Sequence, residues 1–151
     1  MAQAKLILNK HVIAELEALS KSGAINELWR SLKAHRGVRD PKRLLADVLK
    51  REGHASTVIG YGVAVPHAMT TAVSGLLVCF GRSTKGIPTR WHGRATKIHF
   101  FLFIAFSATQ VNNYLRALAH LTRRLHDASI RRKLLKAKTS RELLDLLTPS
   151  R

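Results

Sequence analysis

Apolar side chains recur along this chain at distinct spacings, and each spacing predicts an element. Residues 12–19 alternate Ile13, Glu15 and Glu17 against Ala14, Leu16 and Ala18, which reads as a strand, with a helix start as the alternative. Ile25, Leu28, Trp29 and Leu32 repeat at the period of a helix, with Ser20 or Ser22 as its cap and a stop near Gly37. Asp40-Pro41 opens a second helix, a capping carboxylate followed by proline at the first helical position. Leu44, Leu45, Val48 and Leu49 form its apolar stripe. Val63-Ala64-Val65 and the apolar runs 76–80 and 98–105 read as buried strands, the last two separated by a loop holding Gly86, Pro88 and Gly93. Val111, Leu115, Leu118 and Leu125 mark a third helix, and Ile130, Leu134 and Ala137 a fourth that starts at Asp127. Thr139-Ser140-Arg141-Glu142 is a capping box for a short last helix carrying Leu143, Leu144, Leu146 and Leu147. Helices at both ends with strands between them predict an α/β sandwich of one sheet and packed helices.

Composition narrows this picture to an ordinary globular chain. There is no repeat, low-complexity tract or Pro/Gly/Ser-rich linker, so residues 1–151 are expected to form one domain. A hydrophobic fraction of 46% excludes intrinsic disorder. No run approaches the roughly 20 apolar residues that span a bilayer. The N-terminus carries no secretory h-region, so a cytoplasmic location is the expectation. The single cysteine, Cys79, rules out an internal disulfide and a cysteine-based zinc site, and its apolar run predicts a buried, inert thiol.

Charge changes the picture more. Lys and Arg number 26 against 9 acids, a formal net charge of +17, and no carboxylate lies between Glu52 and Asp127. Paired-carboxylate hydrolysis, carboxylate-bound Mg²⁺ and a Ser-His-Asp triad all need acids that this central half lacks. A surface this basic either attracts polyanions or is a solvated face. Nucleic acid is not the expected partner, since no helix-turn-helix, zinc-finger or aromatic RNA-binding signature accompanies the charge. His92, His99, His120 and His126 form no i, i+4 pair and have no neighbouring acid or cysteine, so no metal site is expected.

The segment that carries chemistry is 56–67, Ser-Thr-Val-Ile-Gly-Tyr-Gly-Val-Ala-Val-Pro-His. Gly60 and Gly62 permit a tight turn with positive φ. A short apolar strand follows, and Pro66 stiffens the backbone just before His67. The imidazole is thereby placed at the end of a buried strand on a rigid support, which suits a group presented to a partner. Neutral histidine is nucleophilic near pH 7 and is a good phosphoryl acceptor. A packed or surface histidine is the alternative.

This segment resembles the signature of the type 2 enzyme IIA domains of the phosphoenolpyruvate-dependent phosphotransferase system, the fructose/mannitol and nitrogen-regulatory family. There a Gly-Asn-Gly turn runs through an apolar strand into Pro-His. The similarity extends over residues 12–147: Arg51-Glu52 precedes the motif, Gly86-Ile87 resembles a Gly-Ile-x-Phe step, and the closing helices match. The resemblance implies a single mixed β-sheet flanked by helices, with His67 as the phosphorylated residue and no cofactor. It implies an HPr-type phosphocarrier protein as donor and a IIB domain or a regulatory target downstream. It places Arg51 near the active centre, where a guanidinium suits phosphoryl oxygens. Ser56, Thr57 and the backbone at Gly60 and Gly62 are further candidate phosphate contacts, or turn residues satisfied by their own backbone.

Three departures qualify the resemblance. The family's second histidine is replaced by Tyr114, which can donate a hydrogen bond but carries no positive charge. Tyr61 stands within the glycine turn, and its ring is expected close to His67. The inter-strand segment, acidic in the family, here holds Arg82, Lys85, Arg90, Arg94 and Lys97 without one acid. That charge points to an acidic partner, and to a second reading as a regulatory module that no longer transfers phosphate.

Overall fold

The computed structural model of the chain describes residues 11–149. Its elements run β1 (Val12–Ile13), α1 (Lys21–Leu32), α2 (Pro41–His54), β2 (Val58–Gly60), β3 (Val63–Ala64), β4 (His67–Met69), β5 (Leu76–Trp91), β6 (Arg94–Phe106), a 3-10 turn (Ala108–Gln110), α3 (Val111–His126), α4 (Ala128–Lys136) and α5 (Ser140–Leu147). One mixed sheet takes the order β1-β5-β6-β3-β2, and β4 follows β3 along the same side of β6. β5 and β6 pair antiparallel at its centre, while β1 joins β5, and β3 and β4 join β6, in parallel.

Helices cover both faces, which explains the uninterrupted apolar runs of the central strands. On one face Ile25, Leu28 and Leu32 of α1 and Leu44 and Val48 of α2 share a core with Phe101 and Phe103. On the other, Leu121, Leu125, Leu134, Leu143 and Leu147 share a core with Phe80, Phe100, Leu102 and Ile104. Phe80, Phe100, Phe101 and Phe103 are fully buried, each contributing about 1.5–3 kcal/mol of transfer free energy. The helix starts follow local chemistry: Ser20, Asp40, Asp127 and Thr139 each accept from a first-turn N–H. Glu142 reaches back to the Lys138 N–H at 3.4 Å, one residue before the cap.

Four sequence expectations are corrected. The strand over 12–19 shrinks to Val12–Ile13, because the Leu16 N–H binds the Arg82 carbonyl and the Glu27 carboxylate takes the Glu17 and Ala18 N–H groups. The expected loop around Gly86, Pro88 and Gly93 is strand: β5 and β6 extend to a two-residue turn, His92-Gly93, with φ of 50° and 76°. Gly86 sits at the irregularity between Arg82 and Ile87, and Pro88 on a stretch paired on one side only. The stripe of α3 is rotated, so that Ala117, Leu121 and Leu125 are buried while Val111 and Leu115 are exposed. Arg82 belongs to the interior: at 5% exposure it donates to the carbonyls of Leu134 and Ala137 at the end of α4.

Candidate functional site

His67 owes its position to the chain just before it. Val63 and Ala64 pair with Phe100 and Phe101, and the ladder resumes at His67 opposite Ile104. Between them Pro66, which has no N–H, accepts from the Ile104 N–H at 3.0 Å. The half-buried ring of His67 turns back on this segment, with Nδ1 2.7 Å from the Val65 carbonyl oxygen. A carbonyl only accepts, so Nδ1 bears the proton and Nε2 keeps its lone pair in the neutral ring.

His67 lines a cleft of about 580 Å³ between α2 and the first turn of α3, floored by β4 and the end of β6. Arg43, Asp47, Lys50, Arg51 and His54 come from α2 at the spacing of one helix face. Asp47 is the one carboxylate among the lining residues, and it is engaged: Arg43 Nε lies 3.2 Å from it and the Thr70 hydroxyl donates to it at 2.6 Å. Arg51 donates to the Ala55 carbonyl at the end of α2 (3.1 Å). Neither Lys50 nor Arg51 has an acidic partner among the described residues. Cations therefore outnumber anions around a nucleophilic nitrogen, which makes the cleft an anion receptor.

Tyr114 closes one side. Its ring stacks on Phe106 at 4.0 Å between centroids and on His67 at 5.9 Å. Burial raises the phenol above its ordinary value, and the Arg51 charge opposes that rise only in part. The hydroxyl is thus held as an O–H donor at neutral pH.

The structure brings Arg51 and Tyr114 to His67, and it leaves the other candidates elsewhere. Thr57 is buried, its hydroxyl donating to Glu52 Oε1 at 2.6 Å. Burial pushes the Glu52 carboxyl up, but the Thr57 hydroxyl, the Lys21 ammonium at 2.9 Å and the Thr57 N–H hold it below its ordinary value. Ser56 Oγ accepts from the Val58 N–H (3.2 Å) as a turn residue does. Gly60 (φ 98°) and Gly62 (φ 74°) make the tight turn, and they line a second hollow that shares no residue with the His67 cleft. Tyr61 stands with them, so its ring does not crowd His67: it packs on His126 and beneath Arg131.

Arg43, Lys50 and His54 escaped the sequence reading, although their spacing on the polar face of α2 was the available signal. Cys79 is buried beside the Ser31 hydroxyl, and burial pushes its thiol up to about 12, away from nucleophilic use. Among the described residues no three His, Cys, Asp or Glu side chains gather as a metal site. No described helix is long and apolar enough to cross a membrane.

Residues 5–149 match the family described as phosphoenolpyruvate-dependent sugar phosphotransferase system, EIIA 2. The chain belongs to this family. Membership implies a phosphocarrier role within the phosphotransferase system. The chain is 35% identical over 130 residues to the fructose-specific EIIA component of Haloferax volcanii, covering 85% of this chain and 82% of that protein. It is 32% identical over 143 residues to the fructose-specific EIIABC component of Bacillus subtilis, covering 93% of this chain but only 22% of that longer protein. Its fold is that of the nitrogen regulatory protein IIA-Ntr from Neisseria meningitidis, with a TM-score of 0.86 at 22% identity over 97% of this chain and 99% of that one. The expected mixed sheet flanked by helices is therefore the fold of this EIIA domain.

Proposed function

We propose that His67 carries a transient phosphoryl group on Nε2, received from an HPr-type phosphocarrier protein. The group is then passed to a IIB domain, or signals through its presence. The observation that carries this reading is the 2.7 Å contact of His67 Nδ1 with the Val65 carbonyl, which leaves Nε2 as the nucleophile in a cationic cleft. Nε2 attacks phosphorus in line, one N–P bond forming as the donor's N–P bond breaks. The donor ring departs neutral, and the positive charge moves to the His67 ring, whose Nδ1–H remains directed at the Val65 carbonyl. The phosphoryl group brings roughly −1.5 to −2 charges, which Arg51 and Lys50 are placed to offset. The Tyr114 hydroxyl is the neutral donor on the other side. A cytoplasmic setting, one EIIA domain and the absence of any cofactor belong to the same reading.

The test is intact-mass measurement after incubation with phosphoenolpyruvate, enzyme I and an HPr-type carrier. An acid-labile phosphoryl adduct, absent in His67→Ala, is expected. Its absence, with another family member phosphorylated alongside, would leave the second reading: a regulatory module bound to an acidic partner. That reading draws on Tyr114 in the second-histidine position and on the cationic rim of the cleft.

A further inference from the structure

The second hollow lies at the far end of β6 from the His67 cleft. His99 borders the hollow and Ile104 is paired with His67 of the cleft, so the two sites lie about 17 Å apart along the strand at ~3.3 Å per residue. Its volume is about 390 Å³, and its rim is formed by the Gly60-Tyr61-Gly62 turn and the end of the β5–β6 hairpin.

Two aromatic rings are held out here at some cost to the fold. Tyr61 adopts φ 55°, a left-handed conformation unfavourable for a large side chain by about 1–2 kcal/mol, and remains 59% exposed. The Arg131 guanidinium, fixed by bonds to the Leu125 and His126 carbonyls, lies 4.6 Å from its ring centroid and holds it in place. Trp91 lies against Gly60, where a Cβ would come within 3.1 Å of the indole, and it too is exposed. Arg90, Arg94 and Lys97 are exposed on the same hairpin, and no carboxylate occurs from residue 53 to residue 126. Rigid Trp and Tyr side chains with Arg around them are the composition of a protein-binding hot spot.

We propose that this face docks an acidic protein segment, with an apolar side chain seated in the hollow and carboxylates on the surrounding arginines. Successive stacked bases need open ring faces. Here Arg131 lies over Tyr61, while Gly60 and His92 lie against Trp91, which favours a seated side chain over a nucleic-acid strand. The face shares no lining residue with the His67 cleft. The inference does not depend on whether His67 accepts phosphate.

The test titrates the full chain with three probes: a glutamate-rich peptide with a central leucine pair, the same peptide without leucines, and a single-stranded oligonucleotide of equal charge. Backbone amide shifts locate each. The leucine-bearing peptide is expected to bind about tenfold more tightly than the other two, with shifts at residues 59–62 and 90–97 and none at His67 or Tyr114. Trp91→Ala and Tyr61→Gly, the latter compatible with the left-handed backbone, should each weaken it about tenfold. Arg90→Glu with Arg94→Glu should abolish the salt-sensitive part of the affinity. Tighter binding of the oligonucleotide, shifts gathered at the His67 cleft, or no peptide binding by a folded sample would each overturn the proposal.

Discussion

His67 Nδ1 donates to the carbonyl oxygen of Val65 at 2.7 Å, so the ring is oriented by the backbone two residues before it. Such an arrangement sets the tautomer without a carboxylate, in a region of the chain that has none to give. The phosphoryl group is therefore expected on Nε2. Phosphorus–nitrogen coupling on ¹⁵N-histidine-labelled protein distinguishes the two ring nitrogens directly. Phosphate on Nδ1 would require the Val65 bond to break and would remove the basis of the proposed geometry.

Tyr114 stacks on both His67 and Phe106, so its ring and its hydroxyl can be separated by substitution. Tyr114→Phe keeps the stack and is expected to change stability by less than about 1 kcal/mol. It should slow phosphoryl uptake by about tenfold, the value of one hydrogen bond to a charged group. An unchanged single-turnover rate would assign Tyr114 to packing alone. Because burial raises the phenol, the hydroxyl stays a donor up to and beyond its ordinary titration range. Its contribution should therefore persist across neutral pH and disappear only in strong alkali.

The cationic stripe of α2 predicts a division of labour. Arg51 borders the cleft near Tyr114, whereas Lys50 is an exposed charge on the same stripe. Arg51→Ala should slow uptake by about ten- to a hundredfold through loss of a charge-assisted contact. Lys50→Ala should act mainly on encounter, by a few-fold, and its effect should fade as salt is raised. Stopped-flow transfer rates at two ionic strengths separate the two. Equal salt sensitivity in both variants would contradict the assignment.

Much of this architecture was legible in the residues. Asp40-Pro41, Ser20 and Asp127 mark helix starts because capping is local chemistry, and Gly60-Tyr61-Gly62 to His67 announces a turn, a strand and a presented imidazole. What escaped depends on partners distant in sequence. Gly86 and Pro88 read as loop residues, yet pairing with β6 carries the strand past them to Trp91. Arg82 counted as surface charge, because nothing local reveals that the end of α4 comes down upon it. Thr57 looked free to bind phosphate until α2 brought Glu52 against it.

Arg82 offers a test of the interior. Its guanidinium donates to the carbonyls of Leu134 and Ala137 and lies 3.7 Å from the Glu15 carboxylate. Arg82→Met preserves much of the apolar volume but leaves two carbonyls without donors. It should lower stability by about 2–4 kcal/mol, seen as a reduced urea midpoint at unchanged slope. Glu15→Gln should cost far less, since Glu15 is half exposed and its charge is screened.

The link between α2 and the motif strand is expected to be sensitive to acid. Glu52 joins Lys21 of α1 to both the hydroxyl and the N–H of Thr57, so it ties two helices to the start of β2. Its folded-state pKa lies below the ordinary value. A carboxyl that releases its proton more readily when folded stabilises the fold fully above its unfolded pKa, and this contribution is lost as pH falls through the folded one. Glu52→Ala should cost about 1–3 kcal/mol near pH 7, where Thr57 loses its acceptor. As pH falls below the ordinary carboxylate range, the difference from the parent should narrow as the parent's own carboxylate takes up a proton. Urea denaturation of both proteins across this range checks the sign. A gap that widens on acidification would mean that the Lys21–Glu52–Thr57 contact does not act as an ion-paired latch.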